Sequence, residues 1–206
     1  MKPLTPTIFV VDDDSSVREA LSNLLRSHGL NVQTFDSAQA FLDQPRPDCP
    51  SCLVLDMRMP GMTGIELQQH LLAFSDFIPT IFISAHGDIP VAVRAVKAGA
   101  IEFLPKPFEE QELLSAIEQG LALDQMRREH LAQRVSLQSR FEPLTSREWE
   151  VLKLTIKGLL NKQIGGELGI AEVTVKVHRH NIMQKLEVRS LPDLIRLVEE
   201  YYDSKN

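Results

Sequence analysis

Short apolar runs recur through the first 120 residues, each bounded by polar turns, and the stretches between them return apolar residues at helical spacing. The pattern predicts strands at about 7–11, 31–35, 52–57, 80–85 and 101–104, and helices at about 16–28, 37–44, 64–74, 89–98 and 108–120. Ser16-x-x-Glu19 and Thr63-x-x-Glu66 read as capping boxes, and Gly29 and Gly99 stand where the glycine that follows a helix belongs. Five alternating strand–helix units predict a parallel sheet covered on both faces.

The pattern then changes. From 121 to 142 the chain is polar and carries no proline or glycine, so the helix begun near 108 is expected to run on as a helical linker. Pro143 marks the next boundary, and from Thr145 onward every signal is helical. Thr145-x-x-Glu148 caps a helix ending at Gly158, Asn161 caps a short one ending at Gly169, and two more are expected at about 172–187 and 191–203. The expected domains are therefore 1–120, a linker at 121–142, and 143–206.

Charge sharpens this division. The net charge of -6 hides an asymmetry: residues 1–120 hold 8 Lys/Arg against 16 Asp/Glu, whereas residues 143–206 hold 10 against 9. The acidic half should avoid nucleic acid; Lys153, Lys157, Lys162, Lys176, Arg179 and Lys185 give the second half a local basic footprint suited to phosphates. The first apolar stretch is far too short for a signal peptide, and no later run approaches membrane-spanning length, so a cytoplasmic protein without a membrane partner is expected. Cys49 and Cys52 form one Cys-x-x-Cys, but it precedes a strand instead of opening a helix, where a dipole would acidify a redox thiol. A structural or incidental role is expected for both.

The candidate chemistry sits where the predicted strands end. Ile8–Val11 runs into Asp12 and Asp13, Cys52–Leu55 into Asp56, Thr80–Ile83 into Ser84, and Ile101–Leu104 into Pro105-Lys106-Pro107. The carboxyl ends of parallel strands are where open α/β sheets bind ligands. Asp12, Asp13 and Asp56 would form a three-carboxylate cluster that repels itself unless a cation enters. A hard ion held by few carboxylates and several waters describes Mg²⁺. One carboxylate could then attack a phosphoryl donor, with Lys106 and Ser84 contacting the transferred group's oxygens. Taken singly, each residue has an ordinary explanation as a turn acid, a cap or a solvated charge; their joint spacing favours a shared site.

In order and spacing, Asp12-Asp13, Asp56, Ser84 and Lys106-Pro107 resemble the receiver domains of two-component response regulators, and Met59-Pro60-Gly61-Met62-Thr63-Gly64 is similar to the loop after their phosphoacceptor. The resemblance covers residues 5–120. It implies a flavodoxin-like fold with strand order 2-1-3-4-5 and Asp56 as the residue phosphorylated by a sensor histidine kinase. It also implies Mg²⁺ held by Asp13, Asp56 and the backbone carbonyl of Arg58, with Asp12 acting through water. Ser84 and Phe103 would be the switch residues, and the Lys106–Pro107 bond would be cis. Asp12-x-Asp14-x-Ser16 also imitates the start of a haloacid-dehalogenase-type phosphatase, but the later acidic pair that scheme needs is missing after Ser84 and Lys106. An enzyme is not expected.

In the helical end, Val175, Ile182 and Leu186 form one stripe of the third helix, suited to packing, while Lys176, Val177, His180 and Gln184 fall on the opposite arc. A short helix and the turn Gly169-Ile170-Ala171 precede it, as in a helix-turn-helix whose second helix enters the major groove. Lys176 and His180 can donate to purine acceptors and Val177 can touch a thymine methyl; Arg179, Lys185 and Lys162 are better placed for phosphates. Leu144-Thr145-Ser146-Arg147-Glu148, Asn161-Lys162-Gln163-Ile164 and Thr174-Val175-Lys176-Val177-His178 resemble the four-helix output domain of LuxR-type regulators, which adds Thr174 to the DNA-facing set. The whole chain is similar to the FixJ/NarL class, and within it to the FixJ branch and regulators of aromatic-hydrocarbon catabolism such as the styrene and toluene systems. Two departures stand out: Gly165-Gly166 inside the second helix, each costing up to about 1 kcal/mol, and Ala171 where a capping Ser is usual, costing roughly 0.5–2 kcal/mol.

The resemblance implies a DNA-binding response regulator whose phosphorylation promotes dimerisation and binding to double-stranded promoter DNA, activating transcription with RNA polymerase as a further partner. The alternative is a constitutive DNA-binding regulator whose receiver is a phosphorylation-independent interaction module.

Overall fold

The computed structural model describes residues 5–74, 76–85, 93, 97 and 99–204. They form two compact units, divided between Arg128 and Glu129.

In the first unit, five parallel strands, β1 (Thr7–Val11), β2 (Asn31–Phe35), β3 (Ser51–Asp56), β4 (Thr80–Ser84) and β5 (Glu102–Pro105), pair in the order β2-β1-β3-β4-β5. The central strands are buried along their whole length, as uniformly apolar runs require when both faces are covered. Two separate cores result. Phe9, Phe41, Leu53, Leu55, Leu67 and Phe82 fill one face of the sheet, and Ile8, Val10, Leu25, Val54, Ile81 and Leu113 the other. Alternation along each strand, with period two, assigns successive residues to opposite cores. Register aligns the strand ends: Val11 pairs with Leu55, Asp56 with Ile83, and Ser84 with Pro105. That alignment brings residues distant in sequence to one rim.

Helices α1 (Ser15–Ser27), α2 (Ala38–Asp43) and α3 (Gly64–Ala73) flank the sheet. The Thr63–Glu66 capping box forms as expected. The Ser16–Glu19 box does not: Asp14 is the N-cap, its Oδ1 accepting the Ser16 backbone N–H at 2.8 Å. A carboxylate at the start of a helix is the better acceptor, and it also draws the Ser16 hydroxyl at 2.6 Å. The helix expected at 89–98 lies largely outside the described residues.

Helix α4 runs from Glu110 to Phe141, so the interval read as a linker is helical, but it is not a free spacer. Asp124 is 1% exposed. Its carboxylate accepts the Ser51 backbone N–H at 3.0 Å, Arg127 at 2.8 and 3.0 Å, and the Arg128 Nε at 2.7 Å, and Arg128 also reaches Asp48. One turn earlier, Gly120 lies against Cys52, where an added Cβ would come within 2.7 Å of the sulfur. Only glycine lets the helix approach β3 that closely. Cys49 and Cys52 are both buried and unbridged, and burial pushes the Cys52 thiol up to about 12, which keeps it protonated and inert.

The second unit contains α5 (Ser146–Ile156), α6 (Asn161–Leu168), α7 (Glu172–Lys185) and α8 (Leu191–Asp203). Its core joins Val151, Leu152, Ile164, Val175, Ile182, Leu186, Leu194 and Val198 to Phe141 from the end of α4. Phe141 stacks on Trp149 at 5.5 Å and meets Tyr201 in a tilted contact at 4.2 Å between ring centroids. The residues expected to be spacer are thus divided: Asp124 belongs to the first unit's packing and Phe141 to the second's.

Candidate functional site

At the rim of the sheet, Lys106 follows β5 and its Nζ donates to Asp12 Oδ2 and Asp56 Oδ1, each at 2.7 Å. The lysine is aimed by its backbone, whose N–H bonds the Ser84 carbonyl at 2.7 Å, and the following Lys106–Pro107 bond is cis, as the resemblance implied. Asp12 is almost fully buried, 1% exposed, and Asp56 is 7% exposed. The second oxygen of Asp56 accepts the Arg58 backbone N–H at 2.7 Å, closing the turn after β3. Asp12 is held as well: its Oδ1 accepts the Asp14 N–H at 2.9 Å and its carbonyl accepts the Arg18 guanidinium at 2.7 Å.

These contacts set the electrostatics. Burial pushes the Asp56 carboxyl up from the ordinary aspartate range, and neighbouring Asp12 adds to the rise, against the hydrogen bonds from Lys106 and Arg58. For Lys106 burial acts to lower the pKa, but the bonds to Asp12 and Asp56 outweigh it, so the ammonium is held charged. The result is a desolvated carboxylate beside a fixed cation at the mouth of a parallel sheet. Ser84 lies at the end of the next strand and is buried, and Phe103 is half-buried against the core on the side of Phe9 and Phe82.

One expected grouping is not assembled. Asp13 does not complete a three-carboxylate cluster: it is exposed, and among the described residues no three acidic, histidine or cysteine side chains converge closely enough to hold an ion. Asp12 and Asp13 follow the end of β1, the first buried and the second exposed, and the Lys106 ammonium bridges Asp12 to Asp56. The donor set nevertheless fits a hard cation. Two carboxylates converge on one positive charge, Asp13 stands next along the chain on the solvent side, and Mg²⁺ keeps most of its waters, needing few protein oxygens.

In the second unit, α7 presents Lys176, Val177 and His180 to solvent, and Lys162 is exposed near the start of α6. Arg179 is half-buried and donates to Asn161 Oδ1 at 2.7 Å, which fixes its guanidinium against the start of α6. Thr174 is half-buried at the first turn of α7. Lys176 pairs with Glu172 at 3.1 Å, an exposed helix pair that adds little to stability. Lys185, expected at a phosphate, is paired within the unit. Its Nζ bonds Glu148 Oε2 at 2.7 Å and the Pro143 carbonyl at 3.0 Å. Glu148 is 3% exposed and needs a counter-charge, and the end of α7 delivers one.

The two glycines of α6 also separate in role. A Cβ on Gly165 would lie 2.7 Å from the Ile170 carbonyl oxygen, so the turn between α6 and α7 closes directly over it; Gly166 faces open space. Ala171 does stand at the N-cap of α7 without a side-chain hydrogen bond. Sequence reasoning missed Asp124, although Arg127 and Arg128 at i+3 and i+4 were a visible signal for a paired carboxylate. It also missed Asn161 as the group that holds Arg179, for which the sequence carries no local sign.

Comparison with known proteins agrees with this division. Residues 8–118 match the response regulator receiver domain, and residues 142–198 match the bacterial regulatory proteins of the luxR family. The response regulator protein TmoT of Ectopseudomonas mendocina is 51% identical over 197 residues, covering 96% of this chain and 90% of its own. The transcriptional regulatory protein FixJ of Azorhizobium caulinodans is 42% identical over 197 residues, covering 95% and 92%. The low-resolution structure of the response regulator StyR superposes with a TM-score of 0.88 at 68% identity, over 96% of this chain and all of that one. With a receiver match over the first unit and a luxR-family match over the second, the chain belongs to the two-component response regulators that join a receiver to a LuxR-type DNA-binding domain.

Proposed function

We propose that a sensor histidine kinase phosphorylates Asp56 and that this governs how tightly the second unit holds promoter DNA. The observation that carries the reading is the shared ammonium: Lys106 bonds both Asp12 and Asp56, so the acceptor carboxylate is desolvated yet beside a fixed positive charge. A carboxylate oxygen of Asp56 attacks the phosphorus of a phosphohistidine. The new P–O bond forms as the P–N bond breaks, and the imidazole leaves with a proton. Lys106 then neutralises one oxygen of the acyl phosphate, and the Ser84 hydroxyl donates to another. Asp13, Asp56 and the Arg58 carbonyl would hold Mg²⁺, with Asp12 acting through water; when bound, the ion supplies charge neutralisation at the transferring phosphoryl.

Drawn toward the phosphoryl group, Ser84 leaves space into which Phe103 turns, altering the surface around β4 and β5. Two copies dimerise through that altered face, and two helix-turn-helix units bind a two-part site more tightly than one. Lys162, Thr174, Lys176, Val177, Arg179 and His180 form the DNA-facing set, with Lys185 reserved for Glu148. A regulator of this kind works in the cytoplasm, where it activates transcription beside RNA polymerase.

The test compares the wild type with Asp56→Asn in a promoter-binding titration, each with and without acetyl phosphate and Mg²⁺. The wild type is expected to gain affinity and to shift from monomer to dimer, and Asp56→Asn to do neither. Equal affinity under all four conditions would favour a constitutive DNA-binding protein with a phosphorylation-independent receiver.

A further inference from the structure

Two valines stand on the exposed arc of α7. Val173 is 66% exposed and Val177 53% exposed, whereas Val175 and Ile182 on the same helix are buried. At about 100° per residue, positions 173, 177, 180 and 184 fall within about 60° of arc, directly opposite 175, 182 and 186. One side of the helix therefore serves the core, and the other carries Val173, Val177, His180 and Gln184. One flank of that second side is cationic: Lys176 is exposed beside it, and Arg179, further round the same flank, is held by Asn161 at the start of α6. Branched side chains also weaken a helix slightly. Neither exposed valine is offset by packing within the chain.

Two exposed valines beside a cationic flank match one feature of duplex DNA. In the major groove each base pair presents polar atoms except at thymine, whose C5-methyl is the apolar mark that distinguishes it from cytosine. Resting on the assignment of α7 as the recognition helix, we propose that Val173 is a second specificity-determining residue beside Val177, and that the pair reads two thymine C5-methyl groups in each half-site. The Cα atoms of the two valines are about 6 Å apart along the helix. Base pairs rise about 3.4 Å, so the two methyls lie within about two base steps of each other, on either strand. Lys176 and Arg179 bring the stripe to the groove by pairing with acceptors and phosphates; the valines decide where along the duplex it rests.

The experiment uses the full chain with acetyl phosphate and Mg²⁺ to select from a pool of random-sequence duplexes. The selected duplex is then resynthesised with uracil in place of thymine, one position at a time, which removes a single methyl and leaves every hydrogen bond intact. Two positions within about two base steps are expected to weaken binding by about 3- to 5-fold each, the value of one buried methyl. Val173→Ala should abolish the penalty at one of them and Val177→Ala at the other, with the unfolding midpoint of Val173→Ala unchanged or slightly raised, because the exposed valine gives up little burial and alanine favours a helix. Placing 5-methylcytosine, paired with guanine, at the Val173 position should bind better than cytosine there in the wild type and equally in Val173→Ala. A selected duplex with no uracil-sensitive position, or one whose penalties survive intact in Val173→Ala, overturns the proposal while leaving DNA binding standing. Failure to enrich any duplex overturns the assignment of α7 as a DNA reader and the proposal with it.

Discussion

Each unit of the chain buries a carboxylate against a lysine, and the two pairs are tuned in opposite directions. Asp56 meets Lys106 at 2.7 Å and Glu148 meets Lys185 at 2.7 Å. Burial acts to raise both carboxyl groups. In Glu148 the Lys185 ammonium, the Thr145 N–H at 2.9 Å and the Thr145 hydroxyl at 3.0 Å overcome it and hold the group below the ordinary glutamate range. In Asp56 burial prevails, because Lys106 is shared with Asp12, whose own charge adds to the burden. The difference teaches that a salt bridge with the same length can be structural or reactive according to how many acids share the cation. Glu148 is satisfied and fixes the junction of α5 with α7; Asp56 remains a desolvated acid, held above the ordinary aspartate range, at the mouth of the sheet.

Breaking the satisfied pair should have the largest effect on stability. Lys185→Met leaves Glu148 buried with only the Thr145 donors, and because Lys185 is itself partly exposed the cost is expected at about 2–3 kcal/mol, at or below the lower end for a broken buried pair. Trp149 is the chain's one tryptophan and lies in the second unit, so its fluorescence in a urea titration of the full chain reads this unit alone. A loss under about 0.5 kcal/mol would mean that the pair behaves as a surface pair.

Acid should weaken the same pair without mutation. Because the folded Glu148 is held below its unfolded value, the unfolded chain takes up the proton first as pH falls. The contribution is therefore complete above the ordinary glutamate pKa of about 4.3 and is lost as pH falls through the lower folded value. Trp149-detected stability measured between neutral pH and that window should decline in the wild type, and the decline should be shallower in Lys185→Met.

The reactive pair should give a smaller and opposite result. Asp56→Asn removes a carboxylate that burial disfavours while keeping an acceptor for Lys106 or Arg58, so receiver stability is expected to be unchanged or higher by up to about 1 kcal/mol. Circular dichroism in denaturant would record it, and a loss above about 2 kcal/mol would place Asp56 in the same structural class as Glu148. An effect of similarly small size is expected in α6. Gly166→Ala meets open space and should stabilise the second unit by about 0.5–1 kcal/mol, while Gly165→Ala, which presses on the Ile170 carbonyl, should gain nothing or lose stability. Both are read through Trp149.

Much of the receiver was legible because its signals are local or periodic. The five apolar runs set the strands to within a residue or two, and the capping boxes at Thr63 and Thr145 needed only partners three residues away. The Ser16 box was misread because a stronger acceptor, Asp14, stood two residues earlier. The rim residues could be listed from the strand ends, but their meeting could not be derived from spacing, since Lys106 and Asp12 lie 94 residues apart and only the resemblance supplied their order. Where no resemblance spoke, distance hid the contact. Asp124 reaches Ser51 across 73 residues and looked like solvated spacer, and Lys185 reaches Glu148 across 37 and looked like a phosphate contact.

The sequence by itself determined which segments are strands and helices, that the sheet is parallel, and which half carries acids and which carries bases. These follow from hydrophobic period and residue chemistry, which act over a few residues at a time. Only the tertiary structure decided that Asp12 and Asp56 share Lys106 while Asp13 stands exposed, that the middle of α4 is held by Asp124, and that Lys185 pairs with the buried Glu148. Each of those outcomes depends on which charge reaches a buried partner first, and burial is a property of the packed chain.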